Sequence, residues 1–187
     1  MTDRKIKIYL DMDGVIADFF GALEKHYNVS HWKELPNMEQ TLKDLKGTDF
    51  FGKIPKFQTS DKLIDYVNFL TQGDWNILSS PLRDDHKNSS FWKRYWLKKH
   101  SYKPIESIFT GRKEKYAISK GNYQNILVDD KPKNIQRWRD KGGIGLLYQA
   151  NENSLESLFK DLRYHYIIDA EDLLEEQVIA ENMNNVN

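Results

Sequence analysis

Five short apolar runs punctuate this chain, and segments with helical periodicity separate them. Ile6, Ile8, Tyr9 and Leu10 form the first run, which stops at Asp11. "WNILSSP" (75–81), "SIFTG" (107–111), "NILVDD" (125–130) and "GGIGLLY" (142–148) follow. Strands that alternate with helices specify a mostly parallel sheet covered on both faces. The intervening helices are legible from their apolar offsets. One runs from Val15 to about Tyr27, with Ile16, Phe19, Phe20 and Leu23 on one face. A second opens at Ser60 and Asp61, carries Leu63, Ile64, Val67 and Leu70, and ends at Gly73. An aromatic-rich helix is predicted over about 85–99 and another around Tyr116, Ala117 and Ile118. Pro132 opens the next in its favoured first position, and Leu155, Leu158, Phe159 and Leu162 mark the last.

Residues 28–57 interrupt the alternation, with Pro36, Gly47, Gly52 and Pro55 as breakers. The expected organisation is therefore an α/β core of residues 1–27 and 58–170, with a small helical cap of residues 28–57 inserted after the first strand–helix unit. Helix 16–27 belongs partly to that cap. A tail, 171–187, begins acidic and ends Asn-rich.

Composition narrows the function classes. The 28 Lys and Arg balance 28 Asp and Glu, so no global field favours nucleic acid or anionic membrane. With no cysteine, disulfides, thiolate metal sites and cysteine nucleophiles are excluded. The first residues, MTDRKIKIYLD, hold no long apolar stretch. The expectation is a cytoplasmic protein with no membrane or stable nucleic-acid partner, and a homodimer stays open. "FWKRYWLKKH" (91–100) mixes aromatics with bases. Helical offsets there predict that Phe91, Trp92, Tyr95 and Trp96 face the core and the bases face water. The GxGxxG and GxxxxGK[ST] nucleotide loops are absent.

What ends the apolar runs carries the chemistry. In open parallel sheets, ligands bind beyond the carboxyl ends of the strands. The first run delivers Asp11 and Asp13, the second Ser79 and Ser80, and the fourth Asp129 and Asp130, while Lys113 and Lys115 follow the third. Carboxylates crowded together are costly without protons or a cation, and an oxygen-only donor set points to Mg²⁺. A lysine and a hydroxyl beside that cation suit a phosphate monoester. One carboxylate of the Asp-Met-Asp pair can attack phosphorus while the other delivers a proton to the leaving alkoxide.

"DMDGVIADF", "ILSSP", "RKEKYA" and "ILVDD" resemble, in order and strand context, the four motifs of the haloacid-dehalogenase superfamily, in the form used by 5′(3′)-deoxyribonucleotidases. The resemblance implies a Rossmann-like core and hydrolysis of (deoxy)nucleoside monophosphates through an aspartyl-phosphate. It implies Asp11 as nucleophile and Asp13 as general acid, then base. Ser79 and Lys113, with Lys115 as the alternative, would hold phosphate oxygens. Mg²⁺ would be held by Asp11, the Asp13 carbonyl and Asp130, with Asp129 the alternative to Asp130. Phe19, Ser80, Phe50, Phe51 and Lys131 would contact a small nucleotide substrate. Ser79 stands where such nucleotidases often carry Thr, and Lys131 where Arg is common. Other readings weighed from sequence are a phosphatase of the same kind acting on a polynucleotide 3′-end or a sugar phosphate, a phospho-aspartate receiver, and a non-catalytic phosphate- or nucleotide-binding module. The receiver fails on order, because its acceptor Asp belongs on a middle strand and this chain's ends in Ser79.

Overall fold

The computed structural model describes residues 6–167. Five parallel strands form one sheet in the order β3-β2-β1-β4-β5. They are β1 (Ile8–Leu10), β2 (Trp75–Ser79), β3 (Glu106–Phe109), β4 (Ile126–Asp129) and β5 (Ile144–Leu147). β1, β2 and β4 are buried along their whole length, the mark of strands covered on both faces. Alternate side chains supply two cores. Ile8 and Leu10 join the larger one, with Leu63, Trp96 and Leu158, whereas Tyr9 turns to the other face with Leu78, Leu127, Ile135 and Trp138.

The helices are α1 (Phe19–Tyr27), α2 (Met38–Asp44), α3 (Phe50–Lys53), α4 (Ser60–Thr71), α5 (His86–Lys99) and α6 (Pro132–Asp140). A last helix starts at residue 155 and runs through the described residues to 167. Residues 28–57 are helical, holding α2, α3 and a 3₁₀ turn at Trp32–Glu34. Their buried side chains Leu45, Phe50, Phe51 and Ile54 belong to the same core as Ile8 and Leu10, so this segment is packed onto the sheet layer. No helix among the described residues is long and apolar enough to cross a membrane.

Two helices differ from expectation. The segment after β1 does not coil at Val15. The Met12 carbonyl accepts from the N–H groups of Val15, Ile16 and Ala17, and α1 begins only at Phe19, where the Asp18 carboxylate caps Gly21 N. The irregular turn lets Ile16 drop into the core, where its carbonyl accepts from Ser60 Oγ at 2.7 Å. The helix expected around Tyr116–Ile118 is a single 3₁₀ turn, Lys113–Tyr116. The tail from residue 171 lies outside the described residues.

Candidate active site

The strand order places a reversal between β1 and β4: the chain leaves β1 for β2 on one side and later returns to β4 on the other. A crevice opens outside the strand ends at such a switch point, and here its two lips carry Asp11 and the Asp129-Asp130 pair. Gly14 makes the approach of the lips feasible. Its φ is +79°, and a Cβ there would sit 2.6 Å from the Asp130 carboxyl carbon.

Asp11 is buried. One carboxylate oxygen accepts from Met12 N at 2.7 Å, and the other lies 2.8 Å from Lys113 Nζ. Lys113, also buried, is 2.6 Å from Asp129 Oδ2. Lys115, two residues on, is exposed, so of the two lysines Lys113 is the one the structure brings to the carboxylates. Asp129 has both oxygens engaged, by Lys113, Lys131 N and Asn134 Nδ2. Asp130 instead has a buried Oδ1 with no hydrogen-bond partner. Oxygens of Asp11, Asp129 and Asp130 lie within 4.8 Å of one another. This all-oxygen set suits a hard divalent cation, and the orphan oxygen of Asp130 makes it the better direct ligand, with Asp129 behind it.

The electrostatics separate the carboxylates. Burial pushes the Asp11 carboxyl up, but Lys113, with Lys93 and Lys131 beyond it, outweighs this and holds it below the usual range. Burial and then the charge of Asp11 raise Asp130 to about 7. Between an ordinary carboxylate value of about 3.9 and about 7, the folded chain keeps a proton that the unfolded chain has lost. Stability of the metal-free protein therefore falls as pH rises through that window. Asp130→Asn should remove much of this fall; if Asp130 is a ligand, a divalent cation should raise the melting temperature of the wild type by linkage and the substitution should abolish that rise. Parallel thermal melts across pH, with and without cation, check both; a variant that still gains stability from the cation would remove Asp130 from the ligand set.

Asp13 sits at the mouth of the crevice. Its Oδ2 is 2.7 Å from Nζ of Lys93, which is 1% exposed and also donates to Ser79 Oγ (2.8 Å) and the Ser80 carbonyl (3.0 Å). Its ammonium lies 5.1 Å from the Phe51 ring centre. Lys93 is a site residue that the sequence motifs do not single out, and of the four aromatics expected to face the core, Trp96 is buried and Trp92 packs against that core, whereas Phe91 and Tyr95 turn outward. The buried stripe is Ser89, Ser90, Lys93, Trp96 and Leu97, while Phe91 and Tyr95 are 59% and 47% exposed. The spacing held the signal: Lys93 lies three and four residues before Trp96 and Leu97, on their face. Three polar contacts to Lys93 offset its burial and turn the neighbouring aromatics outward.

Above the carboxylates lies a cavity of about 930 Å³. Asp11, Asp13, Asp130, Lys131 and Ser80 line its polar end; Phe19, Phe20, Phe51, Trp32, Met38 and Leu42 form an apolar wall. Phe20 and Trp32 pack with ring centres 4.8 Å apart, and Phe19 stacks on Phe51 at 6.1 Å. Phe50 is not part of this lining. It is buried against Phe19, Phe51 and His26, while its neighbour Phe51 on the short helix α3 lines the cavity. Ser79 and Lys113 lie beneath the lining residues, held by Lys93 and by Asp11 and Asp129.

The five-stranded parallel sheet flanked by helices matches the fold of a haloacid-dehalogenase-like Rossmann core. Solved structures of that fold align with it. One is a dehalogenase, 10% identical over 82% of this chain and 89% of its own, with a TM-score of 0.57. Another is a predicted HAD-like family hydrolase from Porphyromonas gingivalis, 14% identical over 86% and 98%, with a TM-score of 0.50. No family model and no curated protein matches the sequence. At these identities the likeness concerns the fold.

Proposed function

We propose that this chain is a Mg²⁺-dependent phosphatase of (deoxy)nucleoside monophosphates that works through an aspartyl-phosphate on Asp11. The observation that carries the reading is the pairing of Asp11 and Asp13, each against its own buried lysine, at the polar end of a cavity whose other wall is aromatic. Asp11, ionised through Lys113, attacks phosphorus as the bond to the leaving alkoxide breaks. Asp13 gives the alkoxide its proton, then takes one from the water that attacks phosphorus and frees Asp11. Asp11, Asp130 and the Asp13 carbonyl would hold Mg²⁺, which supplies charge neutralisation at the transferring phosphoryl group. Residues 28–57 act as the cap that excludes water and presents aromatics to the base.

Phosphate release from a panel of 5′- and 3′-nucleoside monophosphates, a sugar phosphate and an aryl phosphate, with Mg²⁺ or EDTA, tests this. Metal-dependent turnover favouring the nucleotides is the expected result; turnover of the sugar phosphate alone would keep the chemistry and discard the nucleotide. Stacking on an aromatic contributes about 1–3 kcal/mol per base. Trp32→Ala should therefore raise KM for a nucleotide by about fivefold to 150-fold while leaving KM for the sugar phosphate unchanged. Equal effects on both substrates would remove the base from Trp32.

A further inference from the structure

The overall charge balance conceals a local imbalance. Between Asp85 and Glu106 the sequence has no carboxylate and six cations: Lys87, Lys93, Arg94, Lys98, Lys99 and Lys103. Lys93 is consumed by Asp13 and Ser79. The other five are exposed, and among the described residues none is in an ion pair. Lys87, Phe91, Arg94 and Lys98 recur at three- and four-residue intervals, so they form one stripe along α5, with Tyr95 beside it. A helix of 14 residues spans about 21 Å.

The aromatics on this stripe are built outward. Phe91 and Tyr95 meet the ring of Trp92 edge-on at 5.2 and 5.3 Å. Trp92 is wedged on Gly52 of α3, where a Cβ would stand 2.6 Å from its ring. The three rings are thus braced from beneath, while Phe91 and Tyr95 stay open to water. Beyond them, Arg94, Lys98 and Lys103 line a cleft of about 430 Å³, and the Arg94 guanidinium is placed 4.7 Å over Phe109.

We propose that the outer face of α5 binds single-stranded nucleic acid. Its cations follow a phosphate backbone, and its two open rings stack on unpaired bases. An acidic polypeptide would match the charge alone, and polyglutamate is the control that separates charge from stacking. A duplex would match the charge and offer the rings no base faces. This surface lies outside the cavity and stands whether or not the phosphatase reading holds.

The test is anisotropy of a labelled oligo-dT without terminal phosphates, titrated with the full chain at several salt concentrations. Single-strand binding should weaken with salt at a log–log slope of about −0.7 per neutralised phosphate, hence about −2 for Lys87, Arg94 and Lys98. Phe91→Ala with Tyr95→Ala should lower affinity about tenfold or more at unchanged slope. Arg94→Gln with Lys98→Gln should flatten the slope. Circular dichroism should match the wild type in both variants, and both should melt well above the assay temperature, since no more than about half of either aromatic residue is covered. Absence of binding at low salt, equal affinity for a duplex or for polyglutamate, or indifference to the aromatic variant would each overturn the proposal. Binding that appears only once Glu171, Asp172, Glu175 and Glu176 are neutralised would assign the face to the chain's own acidic segment and overturn it as well.

Discussion

On the proposed phosphatase reading, Asp11→Asn should abolish phosphate release, with kcat falling by about 10⁴-fold or more, as expected when a covalent nucleophile is removed. The amide is nearly isosteric and can still meet Met12 N, and Lys113 keeps its 2.6 Å contact to Asp129. Because the change also removes one carboxylate from the buried Lys113 pair, a melt of the variant accompanies the assay, and loss of turnover in protein folded at the assay temperature reports chemistry rather than unfolding. Asp13→Asn provides the contrast. It retains the nucleophile and loses the proton donor, a deficit of about 10²–10⁴. That deficit should be largest for alkoxide leaving groups and smallest for an aryl phosphate, whose leaving group needs little proton assistance. Steady-state kinetics on the two ester types, with acid-quench detection of phosphorylated protein, measure both. Residual turnover in Asp11→Asn above about a hundredth of wild type would place the nucleophile elsewhere.

Lys113→Met should be the most destabilising single change at the site. Lys113 is the only side-chain cation in ion-pair contact with Asp11 and Asp129 among the described residues, and both carboxylates are buried. Breaking a buried ion pair from one side costs about 3–5 kcal/mol, which for a chain of this size lowers Tm by about 10 °C. The pH dependence has a definite sign. Burial lowers the Lys113 pKa, but Asp11 and Asp129 outweigh it and raise it, so its contribution is complete at neutral pH and is lost only as strong alkali titrates it. The partner carboxylates titrate in acid: Asp11 is held low, whereas burial and Asp11 raise Asp129. Acidification neutralises the charges that Lys113 offsets, so the gap between variant and wild type should close as pH falls. A divalent cation should also narrow it, by supplying the missing positive charge. Melts of both proteins across pH settle this; a variant within about 1 °C of wild type at neutral pH would show that the pair is solvated rather than buried.

The placement of Asp11, Asp13, Asp129 and Asp130 was legible because buried strands announce their ends: an uninterrupted apolar run must stop where the chain meets solvent or a polar site. β1, β2 and β4 read clearly for that reason. The segment after β1 did not. Its apolar offsets fit a helix from Val15, yet the carbonyl of Met12 gathers three N–H groups and postpones the helix to Phe19. Gly14 φ and the packing of Ile16 against α4 decide that, and both depend on residues more than forty positions away. The choice between Lys113 and Lys115 likewise needed the 3₁₀ turn, whose tighter winding sends one lysine inward and leaves the other in water.

Helix α5 marks the boundary most clearly. Its sequence determined that a helix would form and that aromatics and bases would alternate on it. Which of them faced inward was a tertiary decision. Satisfying Asp13 and Ser79 with Lys93 fixes the rotation of the helix, and Phe91 and Tyr95 are exposed as a consequence. Local periodicity sets the order of elements and the chemistry at each strand end, because those depend on neighbours in the chain. The partner of each buried charge, the lining of the cavity and the face a helix shows to water depend on contacts across the fold. Those are set only when the strands take the order β3-β2-β1-β4-β5.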